Sequence, residues 1–471
     1  MKILYRKLVE LTGADCFVLA LNRMMRRHGQ TGLIGQTHLV MEGIPDLATL
    51  HTAAEKITRG HPLLNAVVFR NPLTWKAEWR IENHPSSVLR LNLWKERHCS
   101  SALKDFQGAP PRETDSLEEL AQSLLNKPMS TQEGLRNLRL DLLLLSAGGS
   151  ILLMTWNHIL FDGKGAEFLV ATLVEATTKE HVSKPSSLIQ KPVRILSLRE
   201  RFLKARPIVE RFFTLARYKH RSLSGPHPKP SRLRFRVMTM TLQESKIITE
   251  RSANLAGALF YASFYLACAA RAHRRAFQLR GEDPTHYVVS IPVQVRRKGG
   301  DSNPFQNCVT VFFFCLERED LVTLPKAVKA AQKQFEEMTR AQLDRSFSEV
   351  LSLMRFLPSV FYMRFVKTNF SAEVSSFFHS YTGKFAADID TFCGTRVLNA
   401  YHTPSVSSPP GSGLFFGMFR DQLTATFSWR EGAVDDCEVE AILSQLKEDL
   451  LGIENPSAPY AEMTKNHPLT Q

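Results

Sequence analysis

The chain has 471 residues, 44% of them hydrophobic and 23% charged, and a formal net charge of +14. It is too long for one ordinary core, so two or three domains are expected, and the composition is that of a folded soluble protein rather than a disordered or fibrous one. Seven cysteines without a C-x-x-C pair argue against a disulfide framework or a structural zinc site, and read as reduced, mostly buried thiols of a cytosolic protein.

No apolar run precedes Asp15, so no signal peptide is expected. Apolar spacing predicts a helix over Leu47–Arg59, leading into His61-Pro62-Leu63-Leu64, then strands at Ala66–Arg70 and Glu78–Ile81. A short helix is expected at Leu117–Leu125, with Ser116 and Glu119 placed to open it. Two apolar runs follow, Leu140–Leu145 and Ile151–Trp156, separated by Ala147-Gly148-Gly149-Ser150, the pattern of a β-hairpin. The hairpin runs into His158-Ile159-Leu160-Phe161-Asp162-Gly163, and a helix start is expected just after Gly163. His158 and Asp162 therefore sit between a strand end and a helix start.

Residues 181–236 are rich in Pro, Ser, Lys and Arg and read as a linker between lobes 1–180 and 237–455. From Lys184 to Arg236 fifteen basic residues face only Glu200 and Glu210, so nearly all of the net charge belongs to this segment. No nucleic-acid-binding motif accompanies it, and no nucleic-acid partner is expected. Leu198–Arg221 has helical apolar spacing, with Pro207 dividing it.

In the second lobe a strand is expected at Val237–Leu242 and a long helix at Ser245–Ala276. The uncharged run Ser252–Ala270 inside that helix reads as buried core rather than a membrane span. Strands ending at Val293 and over Val309–Leu316 follow, then helices between Leu324 and Thr368, including an apolar segment over 351–370. A strand pair, Gly413–Phe419 and Leu423–Trp429, precedes a helix at Cys437–Leu451 and a polar tail, 456–471.

The H-x-x-x-D-G hexapeptide at His158–Gly163 does not stand alone. His61-Pro62-Leu63-Leu64, Pro128-Met129 before Leu138-Arg139-Leu140, Ile291–Arg296 with Phe305-Gln306-Asn307, and the closing hairpin and helix occur in the same order. Together they resemble the condensation-domain and chloramphenicol acetyltransferase-like superfamily over roughly residues 10–452. That group includes plant BAHD acyltransferases, wax ester synthases and alcohol acyltransferases. Asn157 stands where condensation domains usually carry a second histidine, and the D-F-G-W-G motif of BAHD enzymes is absent, so the chain looks like a stand-alone acyltransferase.

The resemblance implies an α/β fold of two chloramphenicol acetyltransferase-like lobes forming a V with a central tunnel. It implies acyl transfer from a coenzyme A or carrier-protein thioester to a hydroxyl or amine, with no bound cofactor or metal. His158 would be the general base, the usual role for a side chain titrating near working pH. Asp162 would pair with Arg296 rather than act on substrate, holding the loop through Gly163. Oxyanion donors would come from Ser380 and Thr382 or the Gly163 N–H, and Asn307 is a candidate substrate contact.

Taken alone, His158 reads as a core histidine satisfied by hydrogen bonds; the surrounding motifs turn the reading to catalysis. His61 reads as a helix-end residue, and His379 and His402 as surface decoration on the rim of the site. The competing function is a non-catalytic or peptide-synthetase-type protein binding an acyl carrier or lipid. For the basic segment the readings are a solvated helix, an anionic membrane surface, an acidic carrier protein, or coenzyme A phosphates. A cytoplasmic protein, or one peripheral to the inner face of a membrane, is expected.

Overall fold

The structure is a computed structural model that describes residues 5–72, 76–82, 89–100, 103–104, 109–129, 137–179, 197–225, 230–296, 305–355, 373–385 and 389–453. The first part of the basic segment (181–196), most of the apolar 351–370 segment and the tail lie outside the described residues.

The first half runs β1 (Tyr5–Glu10), α1 (Gly13–Arg27), β2 (Ile34–Met41), α2 (Leu47–Gly60), β3 (Val67–Arg70), β4 (Ala77–Glu82), β5 (Leu91–Glu96) and β6 (Arg112–Thr114). It continues through α3 (Leu117–Leu125), β7 (Leu138–Leu144), β8 (Ser150–Asn157) and α4 (Gly163–Thr178). Strands β7 and β8 form the expected hairpin, and almost every residue on both is buried. That explains their continuous apolar runs: strands covered on both faces need no alternation.

The second half runs α5 (Leu198–Leu215), β9 (Leu233–Thr239), α6 (Leu242–Ala256), α7 (Tyr261–Leu279), β10 (His286–Gln294), β11 (Val309–Glu317), α8 (Leu324–Arg340) and α9 (Leu343–Met354). Strands β12 (Phe377–Lys384), β13 (Thr391–Phe392), β14 (Thr395–Pro404), β15 (Ser412–Phe419) and β16 (Gln422–Arg430) precede a last helix, α10 (Asp436–Leu451).

Among the described residues two large sheets organise these elements, beside a three-stranded one of order β1-β4-β3. A six-stranded sheet has the order β11-β10-β12-β15-β16-β9, and a seven-stranded sheet the order β13-β14-β2-β8-β7-β5-β6. The second order shows where the chain departs from a plain division at the linker. Strands β13 and β14 come from the second half but complete the first sheet, with Ala400 opposite Leu39 and His402 opposite Thr37. Each large sheet carries its own buried core, and a third cluster joins them at the seam through Ile34, Leu143, Phe235 and Val406.

The helical spacing read over Leu198–Arg221 does form a helix, α5, opened by a capping box at Ser197 and Glu200, but Pro207 lies inside it rather than dividing it, and β9 begins within the expected linker at Leu233. Other expectations need correction. The single long helix over Ser245–Ala276 is two helices meeting at 102°. Gly257 closes α6 with φ +73°, a left-handed-side conformation that costs any other residue but is open to glycine. The turn sends α7 across the six-stranded sheet, burying Phe264 through Ala270 completely. The uncharged run Ser252–Ala270 is thus divided, and no single helix among the described residues is long and apolar enough to cross a membrane. The cysteines are less uniformly buried than expected, with only Cys268 and Cys393 fully so and Cys437 exposed.

Candidate active site

His158 follows the last residue of β8, at the centre of the seven-stranded sheet. Its main-chain N–H donates to the Leu33 carbonyl at 3.1 Å, which ties the strand end to the start of β2. The Nδ1 of its ring is buried with no partner in another residue, while the side chain borders a cavity of about 220 Å³ between the two sheets. With Nδ1 enclosed by the main chain, Nε2 is the nitrogen left to face that cavity. Burial lowers the histidine's pKa; its own carbonyl, Asp162, Asn307 and Asp15 pull the other way.

Asp162 caps α4, its Oδ1 accepting from the Gly165 N–H at 2.8 Å. The same carboxylate takes the Arg296 guanidinium at 2.7 and 2.8 Å, and Oδ2 accepts the Cys308 N–H at 2.8 Å. Arg296 lies just after β10 and Cys308 just before β11, so one buried carboxylate grips both stems of that hairpin. Arg296 spends its remaining reach on the Gln306 carbonyl at 3.0 Å. The pair is nearly dry, with side-chain exposures of 12% and 4%. Its oxygens are committed to structure, which leaves them poorly placed to act on a substrate.

A second buried carboxylate, Asp15 in α1, was not singled out from the sequence. Thr12 donates to Oδ2 through its N–H and hydroxyl at 2.9 and 2.8 Å, and Asn307 donates to Oδ1 through its N–H and amide at 3.0 and 2.9 Å. The Asn307 amide also donates to the carbonyls of His158 and Ile159 at 3.1 and 3.2 Å. Asn307 therefore does not present donors to the cavity as expected; its side chain is 2% exposed and fastens the His158 peptide to α1. Thr12 and Asp15 form a capping box that opens α1, and the same Asp15 carboxylate reaches a partner 292 residues away.

The cavity wall is chiefly apolar, and Trp156, Phe385, Tyr401, Phe415 and Phe416 are its aromatic members beside Tyr381. Ser380 and Thr382 reach it from β12. The Thr382 hydroxyl donates to the Phe416 carbonyl at 3.2 Å, whereas that of Ser380 has no protein partner among the described residues. Gly163 opens α4 at the cavity edge, and its N–H likewise has no protein acceptor among the described residues. The favourable end of the helix dipole therefore faces the space beside His158.

His402, on β14, is part of that wall rather than surface decoration. Its Nδ1 lies 3.0 Å from the Thr37 hydroxyl and its Nε2 3.3 Å from Glu167, a fully buried carboxylate that Lys164 also engages at 2.7 Å. With both ring nitrogens occupied, His402 shapes the cavity and offers it no free nitrogen. His379 is likewise interior, 1% exposed beneath the sheet, and burial pushes its pKa down to about 3. His61 is a buried residue at the end of α2, packed on Phe305.

No protein-family model and no curated protein matches the sequence. Solved structures do match over nearly the whole chain. The trichothecene 15-O-acetyltransferase TRI3 from Fusarium sporotrichioides is similar with a TM-score of 0.66 at 14% identity, covering 94% of this chain and 95% of that one. The first condensation domain of the CDA synthetase gives 0.66 at 15% identity, covering 94% and 96%. Polyketide synthase associated protein 5 from Mycobacterium tuberculosis gives 0.58 at 14% identity, covering 94% and 98%. At these identities the likeness is one of fold.

Proposed function

We propose that this chain, which adopts the chloramphenicol acetyltransferase-like fold of the condensation-domain superfamily, is an acyltransferase. It would move an acyl group from a coenzyme A or carrier-protein thioester to the hydroxyl or amine of an acceptor held in the cavity. The observation that carries this reading is His158, whose one free nitrogen faces an apolar cavity between the sheets while burial favours its neutral form.

The chemistry follows from that placement. Neutral His158 takes the acceptor proton as its oxygen or nitrogen attacks the thioester carbonyl. The negative charge that develops on the carbonyl oxygen is met by the Ser380 hydroxyl or the Gly163 N–H, the two donors left without protein partners. Collapse breaks the C–S bond, and the imidazolium returns the proton to the leaving thiolate. Asp162 and Arg296 hold the loop, and Asp15 with Asn307 holds the His158 peptide.

Thiol release from acyl-coenzyme A donors of varied chain length, with pooled alcohols and amines, tests this. Acceptor-dependent release is expected, and its loss in His158→Ala. Release unchanged in that variant would overturn the assignment of the base. Release only when the acyl group is presented on a carrier protein would identify the donor as carrier-bound. No release from either donor would favour a non-catalytic binding protein.

A further inference from the structure

The inner face of α5 is fully used. Ala205, Ile208 and Leu215 are buried, Arg211 donates to the Phe313 carbonyl at 3.0 Å and to Gln334 at 3.1 Å, and the Ile208 N–H is taken by Ser346 at 3.1 Å. The helix is therefore anchored to the body, and its orientation is fixed.

The outer face carries what a merely solvated helix avoids. Phe202, Leu203 and Phe213 are 65%, 60% and 52% exposed. At 100° per residue they share one side with Arg199 and Arg206, and exposed Arg217 follows just beyond the helix end. Glu210 is the one acid on that side and is paired with Arg206 at 2.6 Å. Arg199 and Arg217 form no ion pair among the described residues, whereas Lys204 lies off this face, one turn from Glu200. The helix is eighteen residues long, about 27 Å, and lies along the surface.

From this face we infer that the protein docks through α5 on an anionic phospholipid surface. The apolar side chains stand singly between cations on a convex helix rather than lining a groove. A lipid interface accepts such protruding side chains without a complementary shape, and its headgroups pair with the surrounding cations. The charge distribution points the same way, since the segment 184–236 holds nearly all of the chain's net positive charge. Docking of this kind would be reversible and weakened by salt.

Vesicle flotation of the full chain tests the inference, with phosphatidylcholine alone and with phosphatidylcholine containing phosphatidylserine, at low and physiological salt. Binding is expected only where phosphatidylserine is present. Arg199→Glu with Arg217→Glu should weaken it roughly twenty-five-fold or more, about fivefold for each basic residue lost. Phe202→Ser with Phe213→Ser should weaken it at least about tenfold. All these side chains are exposed and remote from the cavity lining, so thermal melting and thiol release from soluble substrates should stay at parent values. Absence of binding to phosphatidylserine vesicles, or binding indifferent to both double variants, would overturn the inference. So would capture by an acidic carrier protein through the same residues without vesicle binding.

Discussion

Replacing Asp162 with alanine separates a positioning carboxylate from a catalytic one. The substitution removes the acceptor of the Arg296 guanidinium, the Cys308 N–H and the Gly165 N–H together, and leaves the guanidinium in a nearly dry setting. Breaking a buried pair in this way costs about 3–5 kcal/mol. Loss of the helix cap is part of that sum, at about 1 kcal/mol. At roughly 2.1 cal/mol/K of unfolding entropy per residue, a chain of this length unfolding as one unit loses about 3–5 °C of melting temperature. Scanning fluorimetry reads that shift directly. Thiol release should fall with it, because the stems of β10 and β11 are no longer held against the His158 loop. In Asp162→Ala with Arg296→Ala the orphaned charge is gone, so the double variant should melt no lower than the single one. A single variant that melts with the parent yet is inactive would refute the reasoning and give Asp162 a direct part in the chemistry.

Asp15→Ala should lower kcat by up to about a hundredfold with little change in KM, because it loosens the peptide that aims His158, and misplacement by about 1 Å costs that much; an equal rise in KM would argue against a positioning role. Gly35→Ala would drive a Cβ into the Trp156 ring, which lines the cavity, so the indole must shift, costing about 1–3 kcal/mol and altering acceptor preference; parent melting temperature and unchanged selectivity would contradict this. Burial lowers the pKa values of His38 and His379 to about 3, and of His61 and His273 to about 4. These groups stay neutral when folded and take protons on unfolding below the ordinary value of 6.5. Their stabilisation is therefore complete above about pH 6.5 and lost as pH falls towards 4, by up to about 1.4 kcal/mol per unit for each; a melting temperature constant from pH 7 to 4.5 would contradict that. By the same lowering, the acid limb of kcat/KM should lie below pH 6.5, and a limb at or above pH 7 would count against neutral His158 as the base.

The parts of this molecule legible in the sequence are those with local causes. The β7–β8 hairpin announced itself through two apolar runs and a glycine turn, and the loop to α4 through the residues that end a strand and cap a helix. The helical spacing of α5 was visible even inside a segment that otherwise reads as linker. The bend at Gly257 was hidden because a continuous apolar run can be one buried helix or two. Asp15 and Glu167 escaped notice, and His402 was placed on the surface, for a different reason. Each gets its place from a partner on a distant element, and neither periodicity nor motif spacing records which strand crosses to the other sheet. Asn307 was recognised as part of a pattern, but its three acceptors could be assigned only once α1 and the His158 loop were seen side by side.

The crossing of β14 also has a consequence for how the chain is made. Its pairing partner β2 ends at Met41, and β14 begins at Thr395, so some 350 residues separate the two edges that must meet. At about 5–20 residues per second, a ribosome needs on the order of 20–70 s to deliver the second edge after the first has emerged. Throughout that interval β2 presents unpaired main-chain groups on the side that β14 will cover. Such an edge is a template for pairing with another nascent chain. Expression yield should therefore depend on temperature and chaperone supply more than on the stability of the finished protein, and a fragment ending before residue 395 should aggregate however complete its own hydrophobic core.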